Sequence, residues 1–522
     1  EQISDVGGVV WANDNQTLFY TRIDAANRPF QLWRHQLGSS PEKDTLIYEE
    51  TDEAFYLDIS RSRSNAYLFL SAESKITSEE WFLDANQPMG EFQVIQPRSY
   101  GVEYTVTHHP GDGSDPSTNR FYIVTNEEAV NFKLMVTSVS ELDKAQWREV
   151  IAHRPDVMLN GVDAFVNHLV IFEREEGLPT IRVQDLATGA TTSLDFPEPA
   201  YAVSAGFMPE FETQTLRFTY TSFTTPSSVF DYDMMTHERV LKKETPVLGG
   251  YDRTQYASER LMAIAPDGTK VPISLVYCKG TEKNGTNPLF LVGYGSYGFP
   301  YPVTFSSNRL SLLDRGVVCA IAHIRGGGEL GRTWYEDGKF LNKKNTFTDF
   351  IACAEHLIAE QWTSPEYLGI SGGSAGGLLM GAVLNMRPDL FKGAIAAVPF
   401  VDVVTTILDP TLPLSVMEWD EWGNPNEKDY YDYMKSYAPY DNVTEQDYPN
   451  ILITAGLNDP RVSYWEPAKW TAKLRTLKTD TNQLLLKTNL DAGHGGASGR
   501  YGRLKETAFE YAFMLDCLGV TG

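Results

Sequence analysis

Over the first 247 positions, apolar residues fall in short alternating runs rich in Val, Ile, Phe, Tyr and Thr, separated by clusters of Asn, Asp, Gly, Ser and Pro. A period of two sends successive side chains to opposite faces, so each run predicts a strand bounded by turns. The runs also repeat. NQTLFYTRI, SNAYLFLSA, TNRFYIVTN, VNHLVIFER and TQTLRFTYT each place a polar turn ahead of a strand, with Leu18, Tyr67, Phe121, Leu169 and Leu216 in matching positions, spaced by 49, 54, 48 and 47 residues. After each comes a second strand-like segment: FQLWRHQLG, EEWFLDANQ, FKLMVTSVS, TIRVQDLATG and VFDYDMMTHE. Paired strands at this interval predict β-propeller blades, four-stranded sheets that stack radially and protect one another's edges. A β-sandwich does not repeat its hairpins in this way.

Near residue 250 the pattern changes. Continuous apolar runs beginning at Leu289, Gly316, Tyr367, Gly393, Asn450 and Leu484 alternate with amphipathic stretches, which predicts a mainly parallel sheet flanked by helices. One helix is marked by Phe347, Phe350, Ile351, Ala354, Leu357 and Ile358 behind Thr346-Phe347-Thr348-Asp349, a start resembling a capping box. A last helix is expected around 504–518. The chain thus divides into an all-β propeller domain, 1–247, and a doubly wound α/β domain, 248–522.

Composition narrows the partners. At 522 residues, with 42% apolar and 22% charged residues, the chain is long enough for two or three cored domains and too well patterned for disorder. The net charge of −25 argues against a nucleic-acid or anionic-membrane partner and favours cationic ligands. The four cysteines, Cys278, Cys319, Cys353 and Cys517, form no CxxC pair, so neither a zinc site nor a disulfide framework is indicated, and free thiols suit the cytoplasm. No run approaches the roughly 18 apolar residues of a membrane span. The first of the five repeats lies at the very start of a chain that opens on Glu1 rather than Met. Either the ring is five-bladed, or earlier blades precede it.

The chemistry centres on Gly372-Gly373-Ser374-Ala375-Gly376, a G-x-S-x-G sequence between an apolar strand and an apolar helix. Glycines there permit the sharp turn that lifts a serine hydroxyl above a helix N-terminus, as in α/β-hydrolases. Such a nucleophile needs an acid and a base, each on a loop after a later strand. Asp459 follows NILITAG, and His494, flanked by glycines, follows LLLKT. In this reading His494 takes the Ser374 proton, Asp459 orients the imidazole, and the Ala375 N–H stabilises the oxyanion. The G-x-G-x-x-G run at 326–331 is a decoy for a dinucleotide site, because residues 332–338 read as loop and Asp349 falls inside the predicted helix. No metal or cofactor is called for.

Residues 250–522 resemble the peptidase domain of the prolyl oligopeptidase family, and its oligopeptidase B branch most of all. The matching segments are GYGSYG (293–298), LSLLDRG, RGGGELGRTWYEDGKF (325–340), GGSAGG, VPFVDVVTTILD (398–409), EWGNP (421–425), MKSYAPYDNV (434–443), YWEPAKW (464–470) and GHGG. The resemblance implies a serine oligopeptidase that cuts short peptides after Arg or Lys beneath a gating propeller, working as a monomer or weak oligomer. It implies that Tyr294 is the second oxyanion donor, that Arg461 binds substrate peptide, and that Glu418, with Asp420 nearby, receives the basic P1 side chain. In some bacterial relatives a pair of aspartates contributes to P2 preference, but Pro302 and Thr304 stand at those positions here. The family carries seven blades and an N-terminal segment, so the chain is expected to be part of a longer enzyme, its propeller partial with about five blades present. Competing readings are a prolyl-specific peptidase, another exopeptidase or an esterase of the same fold, or a non-catalytic propeller module.

Overall fold

The computed structural model describes residues 3–113, 115 and 118–521. Each sequence repeat becomes one four-stranded antiparallel sheet with its strands in chain order, the sheets covering 6–49, 56–96, 104–151, 157–193 and 201–244. The strands singled out by the repeat, such as Tyr67–Glu73 and Arg120–Thr125, are second in their sheets and buried on both faces. Alternation here separates two neighbouring blades. Phe121 and Ile123 pack with Phe69 and Phe82 of the preceding sheet, whereas Tyr122 and Val124 pack with Leu159 and Leu169 of the following one. Radial stacking thus explains why these strands are apolar at consecutive positions.

The second half forms an eight-stranded sheet in the spatial order Tyr256–Ile264, Lys270–Cys278, Val318–Ala322, Leu289–Val292, Leu368–Gly373, Gly393–Ala397, Asn450–Gly456 and Leu484–Asn489. All six expected strands are present and their mutual pairings are parallel, although Leu484–Asn489, at the sheet edge, has no buried residue. The first two strands form an antiparallel edge hairpin that apolar runs did not reveal. The chain moves outward in opposite directions from Leu289–Val292, so a crevice opens at the carboxyl ends of the central strands.

Two local expectations are corrected. The helix spans Lys344–Ala359, so Thr346 and Asp349 lie inside it rather than capping it. Both are buried and serve tertiary contacts: Asp349 accepts Nε and Nη2 of Arg325 at 2.8 and 2.7 Å, and Thr346 Oγ1 donates to the Arg325 carbonyl at 2.8 Å. Residues Arg332–Glu336 form a short helix rather than a loop. The glycines before it fit against the chain that follows Leu289–Val292. A Cβ on Gly326 would lie 2.1 Å from the Gly295 carbonyl oxygen, and one on Gly328 2.2 Å from that of Gly298. They permit backbone packing, not phosphate binding. Among the described residues, no helix is long and apolar enough to cross a membrane.

Asp349 is fully buried, and the other carboxylate on Arg325, Asp267, is about half exposed. Asp349→Asn therefore leaves a buried guanidinium poorly compensated and should lower stability by about 3–5 kcal/mol. Urea unfolding followed by tryptophan fluorescence reads this loss; a change under about 1 kcal/mol would show that Asp267 suffices.

Candidate active site

The strand Leu368–Gly373 ends at Ser374, which precedes the helix Ala375–Met386 and adopts φ 59°, ψ −119°. Positive φ at a residue with a side chain costs on the order of 1–3 kcal/mol and needs support from its surroundings. Support comes from the Ser374 N–H on the Ala397 carbonyl at 2.8 Å and from the N–H groups of Gly377, Leu378 and Phe400 on the Ser374 carbonyl. The turn also has no room for side chains: a Cβ on Gly372 would sit 2.2 Å from the Gly376 carbonyl oxygen, and one on Gly377 2.4 Å from Pro399 Cα. As the first helical residue, Ala375 has an N–H without an intrahelical acceptor, close to the serine.

Asp459 follows Asn450–Gly456, and His494 follows Leu484–Asn489. The structure brings them together, with His494 Nδ1 2.7 Å from Asp459 Oδ2. The other carboxylate oxygen accepts the N–H groups of Arg461 and Val462 at 2.8 and 3.0 Å. Burial pushes the Asp459 carboxyl up, but His494 and these two N–H groups outweigh it and hold the acid below its ordinary value. An ionised Asp459 keeps the ring proton on Nδ1, leaving Nε2 as the acceptor. Among the described residues, Ser374 and His494 are not hydrogen-bonded to each other. They line different cavities, of about 380 and 190 Å³.

The larger cavity gathers Ser374, Tyr294, Tyr297, Glu418 and Arg461. Burial, reinforced by Glu418 and Glu421, pushes the Tyr294 hydroxyl up to about 12 despite Arg461, so it remains a donor at neutral pH. Glu418 Oε2 accepts the Tyr297 hydroxyl at 2.8 Å and Trp422 Nε1 at 2.7 Å. Arg461 is exposed at the cavity wall, and among the described residues its guanidinium has no ion-pair partner. Asp420 is not in this lining; its carboxylate turns to the propeller and accepts Ser74 Oγ at 3.1 Å.

Glu421, which the sequence reading did not single out, is the fully buried counterpart of Glu418. It accepts the Tyr297 N–H at 2.9 Å and the Tyr335 hydroxyl at 2.5 Å, fixing the loop that carries Tyr294. Beside it Lys343 donates to the Gly295 carbonyl and Ser296 Oγ, its ammonium pushed down to about 8 by burial. Spacing held a clue. Positions 418 and 421 share one face of a helical turn, while 420 points elsewhere.

A propeller set on an α/β-hydrolase sheet, with a strained serine at the strand-to-helix turn and an aspartate–histidine pair on the next loops, defines a serine peptidase of the two-domain kind. The chain belongs to the prolyl oligopeptidase family: it matches the family's N-terminal beta-propeller domain over residues 1–245 and its prolyl oligopeptidase domain over 303–521. It is 46% identical to Protease 2 of Moraxella lacunata over 98% of this chain and 73% of that one. It is 45% identical to dipeptidyl aminopeptidase BI of Pseudoxanthomonas mexicana over 98% and 70%. Oligopeptidase B from Leishmania major superposes with a TM-score of 0.93 at 43% identity, covering 99% of this chain and 72% of that one. The Trypanosoma brucei enzyme, closed with covalently bound antipain, gives 0.94 at 44%, covering 100% and 74%. The chain is an oligopeptidase B-like serine peptidase.

A second missed carboxylate, Glu466 on the helix Trp465–Leu477, holds the segment that follows the strand Gly393–Ala397. Fully buried, it accepts the N–H groups of Val401 and Asp402 at 2.9 Å and Thr406 Oγ1 at 2.7 Å. Burial pushes its carboxyl up to about 7 from the ordinary 4.5, those bonds only partly offsetting it. Below about 4.5 the group is neutral in folded and unfolded chains alike. Between about 4.5 and 7 the unfolded chain has released the proton and the native state holds it, so stability falls as pH rises, then levels off. Glu466→Gln should flatten that fall. Urea midpoints at about pH 5 and 7.5 measure it, and an unchanged slope would place the titration elsewhere.

Proposed function

We propose that the enzyme hydrolyses short peptides on the carboxyl side of Arg or Lys through Ser374, His494 and Asp459. On substrate binding His494 Nε2 comes within hydrogen-bonding reach of Ser374 and removes its proton during attack on the scissile carbonyl. The same nitrogen protonates the leaving amine, and water then releases the acyl-enzyme by the reverse sequence. Asp459 stabilises the imidazolium. The Ala375 N–H and the Tyr294 hydroxyl hold the oxyanion, a contribution worth about 10²–10³ in kcat per donor. Arg461 holds the peptide beyond the scissile bond, and Asp420 adds negative potential behind the specificity loop.

The observation that carries the P1 assignment is the placement of Glu418 in the same cavity as Ser374 and Tyr294. Its Oε2 is held by two neutral donors, so its charge is fixed and oriented but not cancelled there. A guanidinium pairs with such a carboxylate directionally, whereas a neutral side chain leaves it desolvated and unpaired. The strands of 1–247 cover the site as a propeller lid that admits short peptides, and four free cysteines suit a reducing, cytoplasmic setting. A second reading, an exopeptidase, is favoured by the 45% identity to dipeptidyl aminopeptidase BI. It uses the same serine with the N-terminal amine held near the cavity.

Labelling by a fluorophosphonate, lost in Ser374→Ala, is the expected sign of an active nucleophile; an unlabelled wild-type chain would sink both readings. Glu418→Gln should lower kcat/KM for an N-blocked Arg peptide about 100-fold or more and leave a Phe peptide within about threefold. Faster cleavage after Pro than after Arg overturns the P1 assignment, and preference for a free dipeptidyl over an N-blocked substrate selects the exopeptidase. Tyr294→Phe should reduce kcat about 10²-fold with little change in KM. A parallel rise in KM would make Tyr294 a binding residue instead.

A further inference from the structure

The cavity that contains Glu418 already holds a cation. Lys75 lies in the turn between the propeller strands Tyr67–Glu73 and Ser78–Asp84 and lines the same cavity as Ser374. Its Nζ is 3.6 Å from Glu418 Oε1 and 4.7 Å from the centroid of the Tyr297 ring. The turn is firmly built: the Ser74 N–H donates to the Thr77 carbonyl at 2.8 Å, Ile76 and Thr77 are buried, and Ser74 Oγ reaches Asp420. Lys75 thus presents to the specificity loop the same chemistry as a P1 lysine, an ammonium on Glu418 and over an aromatic face.

We infer that Lys75 is a specificity-determining residue, an internal competitor that occupies the P1 carboxylate in the empty enzyme and must yield to a basic substrate side chain. The inference rests on the reading of Glu418 as the P1 site. Three observations support exchange rather than a fixed structural pair. The 3.6 Å separation exceeds the 2.7–2.9 Å typical of charge-assisted hydrogen bonds, and the lysine side chain is 28% exposed. A planar guanidinium forms shorter, forked bonds and so displaces it. Glu418 is also positioned without Lys75, because Tyr297 and Trp422 hold Oε2. Removing the lysine therefore frees Oε1 without dismantling the site. A neutral P1 residue gains nothing from displacing Lys75 and leaves the ion pair closed, so the competitor also screens out uncharged substrates.

The test uses Lys75→Met and Lys75→Gln in the whole enzyme, with benzamidine as a small cationic probe and N-blocked Arg and Phe peptides as substrates. Loss of a partly exposed competitor should tighten the benzamidine Ki and lower KM for the Arg peptide about two- to fivefold, with KM for the Phe peptide unchanged or lower and kcat for Arg preserved. An unchanged or weaker Ki in both variants overturns the inference, as does a rise in KM for both peptides, which would make Lys75 a structural tie between the domains. Glu418→Gln serves as the separate control. If it leaves benzamidine binding intact, the P1 reading itself fails. If it weakens binding while the Lys75 variants do not tighten it, only the competitor role fails. Should Lys75→Met unfold, as read by circular dichroism, Lys75→Gln retains a polar tip for the same measurements.

Discussion

The left-handed backbone at Ser374 is the constraint on which the site depends. A serine at φ 59° persists only where its surroundings leave no alternative, and here the neighbouring strand Gly393–Ala397, the residues just after it and the first turn of the following helix all bond to this one residue. Those bonds require the strand order of the sheet. Ala397 must lie alongside Gly373, and the chain beyond it must pass close enough to touch the helix, which is why Gly377 has no space for a side chain. The strain is therefore stored by the fold, and the hydroxyl is presented above a helix N-terminus before any substrate arrives.

Around this point the acidic character of the chain becomes specific. Glu418 and Glu421 are both buried beside the loop that carries Tyr294, each held by neutral donors instead of a tight ion pair. Donors of this kind orient a carboxylate while leaving its field intact, so a cation is favoured in the cavity. The molecule compensates internally. Lys343 lies on the protein side of Glu421, and Lys75 reaches in from the propeller to Glu418. One is sealed and the other is partly exposed to solvent.

The glycine-rich segment at 326–331 joins these features. On one side it packs against the loop that bears Tyr294; on the other, Gly331 and Arg332 meet the propeller, where Asn131 Oδ1 accepts the Arg332 N–H at 2.8 Å and Glu103 pairs with its guanidinium at 2.7 Å. The loop that bears Tyr294 thus meets the propeller through this segment and through Lys75 over the Tyr297 ring, and the loop that bears Glu418 and Asp420 meets it directly at Lys75 and Ser74.

Period and motif made much of this legible. The near-50-residue repeat located the five propeller sheets, apolar runs located the six parallel strands, G-x-S-x-G located the elbow at Ser374, and the two later post-strand loops are the ones that meet through Asp459 and His494, because these signals are local and backbone-driven. What failed was local in appearance but tertiary in cause: Thr346 and Asp349 look like a helix cap and are instead partners of Arg325. Glu418, Asp420 and Glu421 are three carboxylates in four residues, equivalent on paper; packing buries two against Tyr297 and turns the third to Ser74. Lys75 carries no signal at all, since its contact with Glu418 spans more than 300 positions of chain. By itself the sequence determined the fold class, the strand-to-helix elbow at Ser374 and the post-strand loops that carry Asp459 and His494, all consequences of short-range periodicity and turn chemistry. Which charges face the cavity was decided by packing within the α/β half, and which cation meets them there by the contact of that half with the propeller, because charge pairing depends on distance in space and side-chain spacing along the chain does not encode it.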